Sequence, residues 1–295
     1  LLFGLCRKGL MDFYIVIPAH NEEAFLSQTL DSLAAQTLLP KKIIVVNDSS
    51  TDGTQDIIDA YEAKFSFIKG VYHASEKTHA PGSKIIDAFY KGYEHLNENY
   101  DVLCKFDADL NFPENYLETL AQKFQTDPAV GMVSGFCYIK KSGRWVLENL
   151  TNKDHIRGAL KTYRKSCFEA IGGLKNAMGW DTVDELLAQY YGWQVITIPS
   201  LRVKHLKPTG QVYTRKAKFK QGQAFYRMRY GFWLTTIASA KLAFQKKSIG
   251  YFFDCLKGYR IAKKENQQPI VSEEEGKFIR KLRWKNIRAK FGISS

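Results

Sequence analysis

Cysteine is scarce in this sequence, and the cysteines that are present are not paired. The 295-residue chain has five, none of them in a C-x-x-C arrangement: Cys6, Cys104, Cys137, Cys167 and Cys255. An odd, scattered set of this kind argues against a disulfide framework and against a cysteine-type metal cluster. It favours a reducing compartment, and we therefore expect a cytoplasmic protein.

Long hydrophobic runs and the common nucleotide-binding loops are also missing. A membrane-spanning helix needs about 18–20 apolar residues, whereas the nearest candidate, GFWLTTIASA at 231–240, covers only ten. No G-x-G-x-x-G follows the first apolar run, and no G-x-x-x-x-G-K-[ST] occurs. These absences disfavour a dinucleotide dehydrogenase and exclude a P-loop NTPase.

Positive charge is concentrated near the C-terminus. The net charge is +13, and residues 215–295 hold 20 Lys and Arg against 5 Asp and Glu. This difference predicts two regions, 11–214 and a basic, aromatic-rich helical region at 215–295. Interleaved cationic and aromatic residues are typical of segments that lie on anionic membranes. A solvated helical face, packed through its aromatic residues, is the alternative interpretation.

Apolar runs alternate with helical patterns over the first half of the chain. FYIVI at 13–17 and IIVV at 43–46 are continuous apolar runs, as in strands buried on both faces of a sheet. Leu26, Leu30 and Leu33 follow the first run at helical spacing. We expect further strands at 67–72, 102–106, 130–136 and 194–198, with helices between them. The alternation predicts an α/β fold, with a mostly parallel twisted sheet and helices on both faces.

Acidic and polar residues follow three of these strands where each strand ends. The segment PAHNE at 18–22 follows the first strand, Asp48 the second, and Asp107 and Asp109 the strand at 102–106. The carboxyl ends of parallel strands meet at one end of a sheet, where ligands bind. Carboxylates brought together repel each other, and Mg²⁺ or Mn²⁺ with oxygen ligands would compensate them. The alternative is that these residues only form turns.

Three motifs in this order resemble those of family-2 glycosyltransferases: VIPAHNEE at 16–23, VVNDSSTDGT at 45–54 and KFDADL at 105–110. The resemblance implies that residues 11–214 form a catalytic domain with the A-type nucleotide-sugar fold. It implies an inverting, metal-dependent hexosyltransferase that moves a sugar from a nucleotide-diphospho sugar, most commonly UDP-linked. The implied acceptor is a hydroxyl of a glycan or a lipid-linked molecule in cell-envelope polysaccharide synthesis, at the inner face of the membrane.

The resemblance also implies roles for individual residues. Asp109 would bind the Mn²⁺ or Mg²⁺ ion, Asp107 would contact both ribose and metal, and Asp48 would accept a hydrogen bond from the base. His205, in an H-x-x-x-T-G context, lies where some relatives place a third metal ligand; an ordinary histidine is the alternative. The other implied nucleotide-sugar contacts are Pro18, Ala19, His20, Glu22 and Lys84. For Lys84, a solvent-facing lysine is the alternative.

The general base is expected at Asp181. Counting back from Gly192-Trp193, which resembles a landmark of the family, leads to this aspartate. It would take the proton of the acceptor hydroxyl during in-line attack. Asp184 on the same helical face and the adjacent Glu185 are alternatives. A further alternative is that Asp181 only caps the helix predicted after it.

The main alternative function is a nucleic-acid- or anionic-surface-binding protein. The basic, aromatic C-terminal region supports this interpretation. It leaves the acidic end of the sheet unexplained, because phosphates would be repelled there without a metal. We therefore expect no nucleic-acid partner. A family member that binds glycans without catalysis is disfavoured by the presence of Asp107, Asp109 and Asp181.

Overall fold

The structure, a computed structural model, describes residues 11–74, 83–148, 155–207, 219–290 and 292. They form two compact units. The sheet unit contains most of the chain up to residue 174 together with 191–207, and the helical unit contains 175–190 and 219–290. The predicted domain boundary at 214 lies outside the described residues and stays a prediction.

Four parallel strands form the first half of the sheet, in the order β3-β2-β1-β4. Their bounds are β1 Phe13–Ala19, β2 Lys42–Asp48, β3 Ile68–His73 and β4 Val102–Phe106. Ile15 of β1 lies between Ile43 of β2 and Cys104 of β4. β1, β2 and β4 are buried along almost their whole length. Their continuous apolar runs follow from burial on both faces.

The second half of the sheet is mixed. It consists of β5 Leu110–Asn111, β6 Val130–Lys141, β7 Arg144–Leu147, β8 Leu160–Arg164 and β9 Gln194–His205. β8 is antiparallel to both β4 and β6, β9 is parallel to β6, and β5 is antiparallel to β9. The α/β class is confirmed, with parallel pairing in the first four strands and mixed pairing beyond them. β7 and β8 lie where the hydrophobic periodicity weakens, and the sequence does not predict them.

β6 and β9 approach each other closely at Gly135. The register between these strands is interrupted between Ser134 and Phe136. A Cβ atom at residue 135 would lie 2.4 Å from the carbonyl oxygen of Leu201 in β9, so only glycine allows this approach. Beyond the interruption the strands pair up to Ile139, which lies opposite His205.

Five helices accompany the strands among the described residues of the sheet unit. They are α1 Leu26–Ala34, α2 Thr54–Lys64, α3 Ser83–Tyr93, α4 Tyr116–Thr126 and α5 Lys165–Ala170. The predicted inward face of α1 is confirmed, because Leu26, Leu30 and Leu33 are fully buried in the core. The sequence predicts all of these helices except α5.

Buried polar side chains of α1 hold the segment that follows β4. The Thr29 hydroxyl donates to the backbone oxygen of Ala108 at 2.7 Å and accepts from the backbone N–H of Leu110 at 2.9 Å. The Ser32 hydroxyl accepts from the N–H of Phe112 at 3.1 Å. Thr29 is fully buried, so these bonds satisfy backbone groups that water cannot reach.

The helical unit contains α6 Trp180–Tyr190, α7 Lys220–Arg227, α8 Gly231–Gln245, α9 Ile249–Lys264 and α10 Glu273–Lys290. Helices α7 and α9 pack through Gly222 and Gly258. A Cβ atom at Gly222 would lie 1.8 Å from the backbone oxygen of Cys255, and one at Gly258 would lie 2.0 Å from that of Phe219, so neither position has room for a side chain. Ser272 and Glu275 form a capping box at the start of α10. None of the helices that the structure describes is long and apolar enough to span a bilayer.

We expect Thr29→Val to lower the free energy of unfolding. Valine keeps the shape of threonine but leaves a carbonyl and an N–H without partners in the core, at a cost of about 1–3 kcal/mol each. Urea unfolding followed by circular dichroism measures the loss. Thr126→Val removes only exposed hydrogen bonds to the backbone oxygens of Gln122 and Lys123 at the end of α4 and should unfold like the wild type. An equal loss in both variants would contradict the role of Thr29.

Candidate functional site

Strands β1, β2 and β4 end on the same side of the sheet. Pro18 pairs with Val46 and Ala19 with Asn47 at the ends of β1 and β2. His20 follows β1, and its Nδ1–H donates to the backbone oxygen of Asp48 at 2.6 Å. Asp107 follows β4 directly. The predicted convergence of these segments is therefore present in the fold.

The loops after β1 and β2 hold each other in place. Asn21 and Ser49 both have φ of 56°, in the left-handed region. The N–H of Asn21 donates to Ser50 Oγ at 3.0 Å, and Asn21 Oδ1 accepts from the N–H of Thr51 at 2.8 Å. Asp48, the last residue of β2, has a buried side chain whose Oδ1 has no hydrogen-bond donor among the described residues. This oxygen can accept a hydrogen bond from a ligand.

Asp107, Asp109 and His205 form a group that could hold a metal ion, which we call the metal group. Each offers one ligand atom, and these atoms lie within 4.8 Å of one another. Asp109 Oδ2 is 3.3 Å from His205 Nε2. The pairing of β5 with β9 causes this proximity, because Leu110 lies directly opposite His205.

The metal group fits a divalent cation. Asp109 is buried, and within the described ranges no donor reaches its Oδ1. A buried carboxylate oxygen without a partner is costly unless something positive binds it. Two carboxylates and one imidazole form a donor set that suits a hard or borderline ion such as Mg²⁺ or Mn²⁺.

His205 lies between Asp109 and a second buried carboxylate, Glu148. Its Nδ1 is 3.2 Å from Glu148 Oε2, and Arg157 Nη2 lies 3.3 Å from the same oxygen. Burial lowers the pKa of His205, but the hydrogen bonds to Asp109 and Glu148 outweigh burial and raise the pKa to about 10. In the metal-free protein the imidazolium therefore compensates both carboxylates. Glu148 also fixes the ring, as carboxylates beside ligating histidines do.

Two lysines compensate the remaining carboxylates. Lys105, buried in β4, forms an ion pair with Asp107 and donates to the backbone oxygen of Gly158 at 3.1 Å. Lys207 Nζ lies 3.0 Å from Glu22 Oε1. Burial raises the pKa of Glu22 and Lys207 lowers it, and the net effect is a raised pKa to which Asp109 and Asp107 contribute. Glu22 therefore belongs electrostatically to the acidic end of the sheet.

The other predicted site residues lie on helices. Lys84 is the second residue of α3 and is partly buried. Asp181 lies in the first turn of α6, which begins at Trp180. Asp184 and Glu185 are buried, whereas Asp181 is only partly so.

Sequence reasoning missed the residues that neutralise this site. Lys105 had a readable signal, because a lysine inside a buried strand requires a nearby acid. Lys207 lies two residues after His205, inside the H-x-x-x-T-G segment that the sequence analysis used. Glu148 and Arg157 had no pattern to reveal them, because they flank β7 and β8, in the region of weak periodicity.

The family model described as Glycosyl transferase family 2 matches residues 14–174, more than half of the chain. The chain belongs to this family. The resemblance inferred from the three sequence motifs is thereby confirmed, and the matched range contains the ends of β1, β2 and β4.

Curated relatives of this family-2 glycosyltransferase are longer. The probable glycosyltransferase YdaM of Bacillus subtilis is 28% identical over 252 residues, which are 76% of this chain and 58% of YdaM. The uncharacterized glycosyltransferase MG025 of Mycoplasma genitalium is 28% identical over 155 residues, 52% of this chain and 48% of MG025. The chain thus spans about half the length of these relatives.

Solved structures share the fold of the family-2 glycosyltransferase. S. aureus TarS 1–349 in complex with UDP-GlcNAc has a TM-score of 0.55 at 17% identity, covering 79% of this chain and 67% of that one. The mannosyltransferase PcManGT from Pyrobaculum calidifontis, in complex with GDP-Man and Mn²⁺, has a TM-score of 0.54 at 18% identity, covering 85% and 70%. These similarities confirm the predicted A-type glycosyltransferase fold.

The raised pKa of His205 predicts how the stability of the metal-free protein depends on pH. Its stabilising effect is complete below pH 6.5, the ordinary pKa, and disappears as the pH rises toward 10. Each tenfold change in proton affinity corresponds to about 1.4 kcal/mol. A rise in the pKa from 6.5 to about 10 is more than one tenfold change, so the free energy of unfolding of the wild type should fall by about 2 kcal/mol or more relative to that of His205→Asn over this pH range. Denaturant unfolding with a chelator present measures the difference.

The control for this experiment is His95→Asn, at an exposed position. A pH dependence of the same size in His95→Asn would show that the effect is not specific to His205. A constant difference between the wild type and His205→Asn would contradict a protonated His205 in the metal-free protein.

Proposed function

We propose that this family-2 glycosyltransferase is an inverting, metal-dependent enzyme that uses a nucleotide-diphospho sugar. The observation that carries the proposal is the metal group, which lies after β4 on the same side of the sheet as Asp48. Asp48 and Asp109 each have a buried oxygen without a hydrogen-bond donor among the described residues. The N–H of a nucleotide base would satisfy the Asp48 oxygen, and a metal ion that also binds the diphosphate of a nucleotide sugar would satisfy the Asp109 oxygen.

Asp107, Asp109 and His205 would hold the metal, Mn²⁺ or Mg²⁺. When bound, the ion supplies the positive charge that neutralises the leaving nucleoside diphosphate. The chain's own contribution is to keep these ligands in place. Lys105 orients Asp107, Glu148 orients His205, and the β5–β9 pairing keeps Asp109 beside His205.

The nucleotide would lie along the ends of β1 and β2. Asp48 Oδ1 would accept a hydrogen bond from the N–H of the base, an arrangement that favours uracil and hence a UDP-linked donor. His20 would stack on the base, since its ring is already held by the backbone of Asp48. Pro18, Ala19, Glu22 and Lys84 would complete the contacts. The UDP-GlcNAc bound by TarS supports a UDP donor, whereas the GDP-Man bound by PcManGT keeps a GDP donor as the competitor to test.

Asp181 would act as the general base. It takes the proton from the acceptor hydroxyl while that oxygen attacks the anomeric carbon, and the bond to the diphosphate breaks on the opposite face. A base of this kind must be reachable by the acceptor. Among the three candidate carboxylates of α6, Asp181 is the least buried, and Asp184 accepts a hydrogen bond from the N–H of Glu185 at 2.7 Å.

The acceptor would be a glycan or a lipid-linked hydroxyl, and the enzyme would act in the cytoplasm at the inner face of the membrane. The basic region after residue 215 supports this location. A thermal-shift panel of UDP-, GDP- and dTDP-sugars, each with and without Mn²⁺, tests the donor class. Stabilisation by a UDP-sugar that requires Mn²⁺ is the expected result.

We expect Asp109→Asn to abolish sugar transfer and to weaken Mn²⁺-dependent UDP binding by about 100-fold or more, because a neutral amide is a poor ligand for the ion. Calorimetric titration with UDP and Mn²⁺ measures the binding. Asp59→Asn changes an exposed aspartate of α2 in the same way and should bind normally. Unchanged Mn²⁺-dependent binding by Asp109→Asn would refute the metal group.

We expect Asp181→Asn to lose transfer while keeping UDP and Mn²⁺ affinity, because a general base contributes to the chemical step and not to donor binding. Donor turnover and calorimetry are measured on the same preparation. Asp184→Asn and Glu185→Gln serve as the matched comparison. Wild-type turnover by Asp181→Asn, with loss in one of the other two, would move the base to that residue.

A further inference from the structure

Large hydrophobic side chains are exposed on the hairpin formed by α8 and α9. Trp233 is 73% exposed, Phe244 87%, Ile249 76% and Phe253 61%, and Ile237 is also exposed. We call these five residues the hairpin face. Scattered exposed apolar residues are ordinary, but a row of large ones on two consecutive helices marks a surface that binds something.

The hairpin face is continuous along the chain. In α8, Trp233, Ile237 and Phe244 are separated by four and seven residues, so they lie in one stripe about 16 Å long. The stripe reaches the last turn of α8. Ile249 begins α9 after a connection of three residues, and Phe253 follows it one helical turn later. The apolar side chains therefore extend from α8 around the tip of the hairpin onto α9.

Lysines border the hairpin face. Lys246 and Lys247 are exposed in the connection, and Lys241 and Lys257 are exposed on α8 and α9. From 231 to 264 the sequence contains seven Lys and Arg and one acidic residue, Asp254. Exposed aromatic and aliphatic side chains among cations are the chemistry of helices that lie in the interface of an anionic bilayer.

We propose that the α8–α9 hairpin docks on an anionic lipid bilayer, with Trp233, Phe244, Ile249 and Phe253 inserted among the headgroups and acyl chains. The 15 residues of α8 are too few to span a membrane, so the hairpin lies in the surface. A second copy of the chain is a poorer occupant. A symmetric interface on this face would bring the lysines of both copies together, with one acidic residue of the segment 231–264, Asp254, in each copy to compensate them. An anionic surface complements them.

The test is cosedimentation of the full chain with vesicles of phosphatidylcholine alone or mixed with phosphatidylglycerol. We expect salt-sensitive binding to the anionic vesicles and much weaker binding to the neutral ones. Phe244→Ser/Ile249→Ser should lower binding about tenfold or more, because two inserted side chains are removed. Lys246→Glu/Lys247→Glu should lower binding to anionic vesicles by a similar factor.

Matched controls lie in the sheet unit. Leu39→Ser/Tyr72→Ser removes two exposed hydrophobic side chains elsewhere, and Lys140→Glu/Lys141→Glu reverses an adjacent exposed pair at the end of β6. Both should bind vesicles like the wild type. The tryptophan emission of the wild type should shift to shorter wavelength on binding, and Trp233→Phe should lack most of that shift.

Several results would overturn the proposal. They are no binding to anionic vesicles at low salt, equal binding to neutral and anionic vesicles, and equal losses in control and hairpin variants. A wild type that is dimeric in light scattering, with monomeric Phe244→Ser/Ile249→Ser, would assign the face to a second copy. Circular dichroism on every variant separates these outcomes from misfolding. The readout is lipid binding, so its failure would remove the support for a membrane location in the proposed function and leave the proposed sugar transfer untouched.

Discussion

Repulsion between carboxylates is the constraint on which the rest of this site depends. Asp107, Asp109 and Glu148 lie around His205, and Glu22 feels the charges of Asp107 and Asp109. Lys105 is paired with Asp107, Lys207 with Glu22, and Arg157 together with His205 with Glu148. In the part of the chain that the structure describes, Asp109 is paired with His205 alone, which it shares with Glu148. A metal ion would find its strongest attraction there.

The positions of the acidic residues come from buried backbone contacts and not from the acids themselves. Thr29 holds both sides of the turn that carries Asp109, and the two-residue strand β5 pairs that turn with the end of β9. Neither the Thr29 hydrogen bonds nor the β5–β9 pairing includes an acidic side chain. The site is therefore assembled by the core of the sheet unit, which explains why short motifs on separate strands arrive at one place.

Patterns within single segments of the sequence predicted much of the fold. Features that depend on pairing between distant segments could not be predicted in this way. β1, β2 and β4 were readable because strands buried on both faces have continuous apolar sequences, and Asp107 and Asp109 followed from where β4 ends. β8 was not readable, because Lys161 and Arg164 interrupt its apolar residues and its pairing partners lie far away in sequence. Arg157, which precedes β8, depends on the same distant pairings, whereas Glu148 follows the β6–β7 hairpin and its N–H donates to the backbone oxygen of Cys137. The burial of the Thr29 hydroxyl was not predicted for a similar reason, since its hydrogen-bond partners, Ala108 and Leu110, are about 80 residues away.

The hairpin face and the metal group depend on opposite uses of charge. In the helical unit, cations are left exposed and in excess, so they can act at long range on a charged surface. Around the metal group, Lys105, Lys207 and Arg157 are each paired with an acid, so they act only over a few ångströms. The same residue type, lysine, thus serves to attract at one place and to hold geometry at the other.

The spacing within the metal group depends on Gly135, which is not part of the group. The backbone of β6 can lie against the carbonyl of Leu201 only because residue 135 carries a single hydrogen, and β9 runs from that contact straight to His205. Any added methyl group would push β9 outward and carry the imidazole with it. The geometry of the metal group is in this way set by steric exclusion at a residue outside the group, and such a residue would escape any search confined to Asp107, Asp109 and His205.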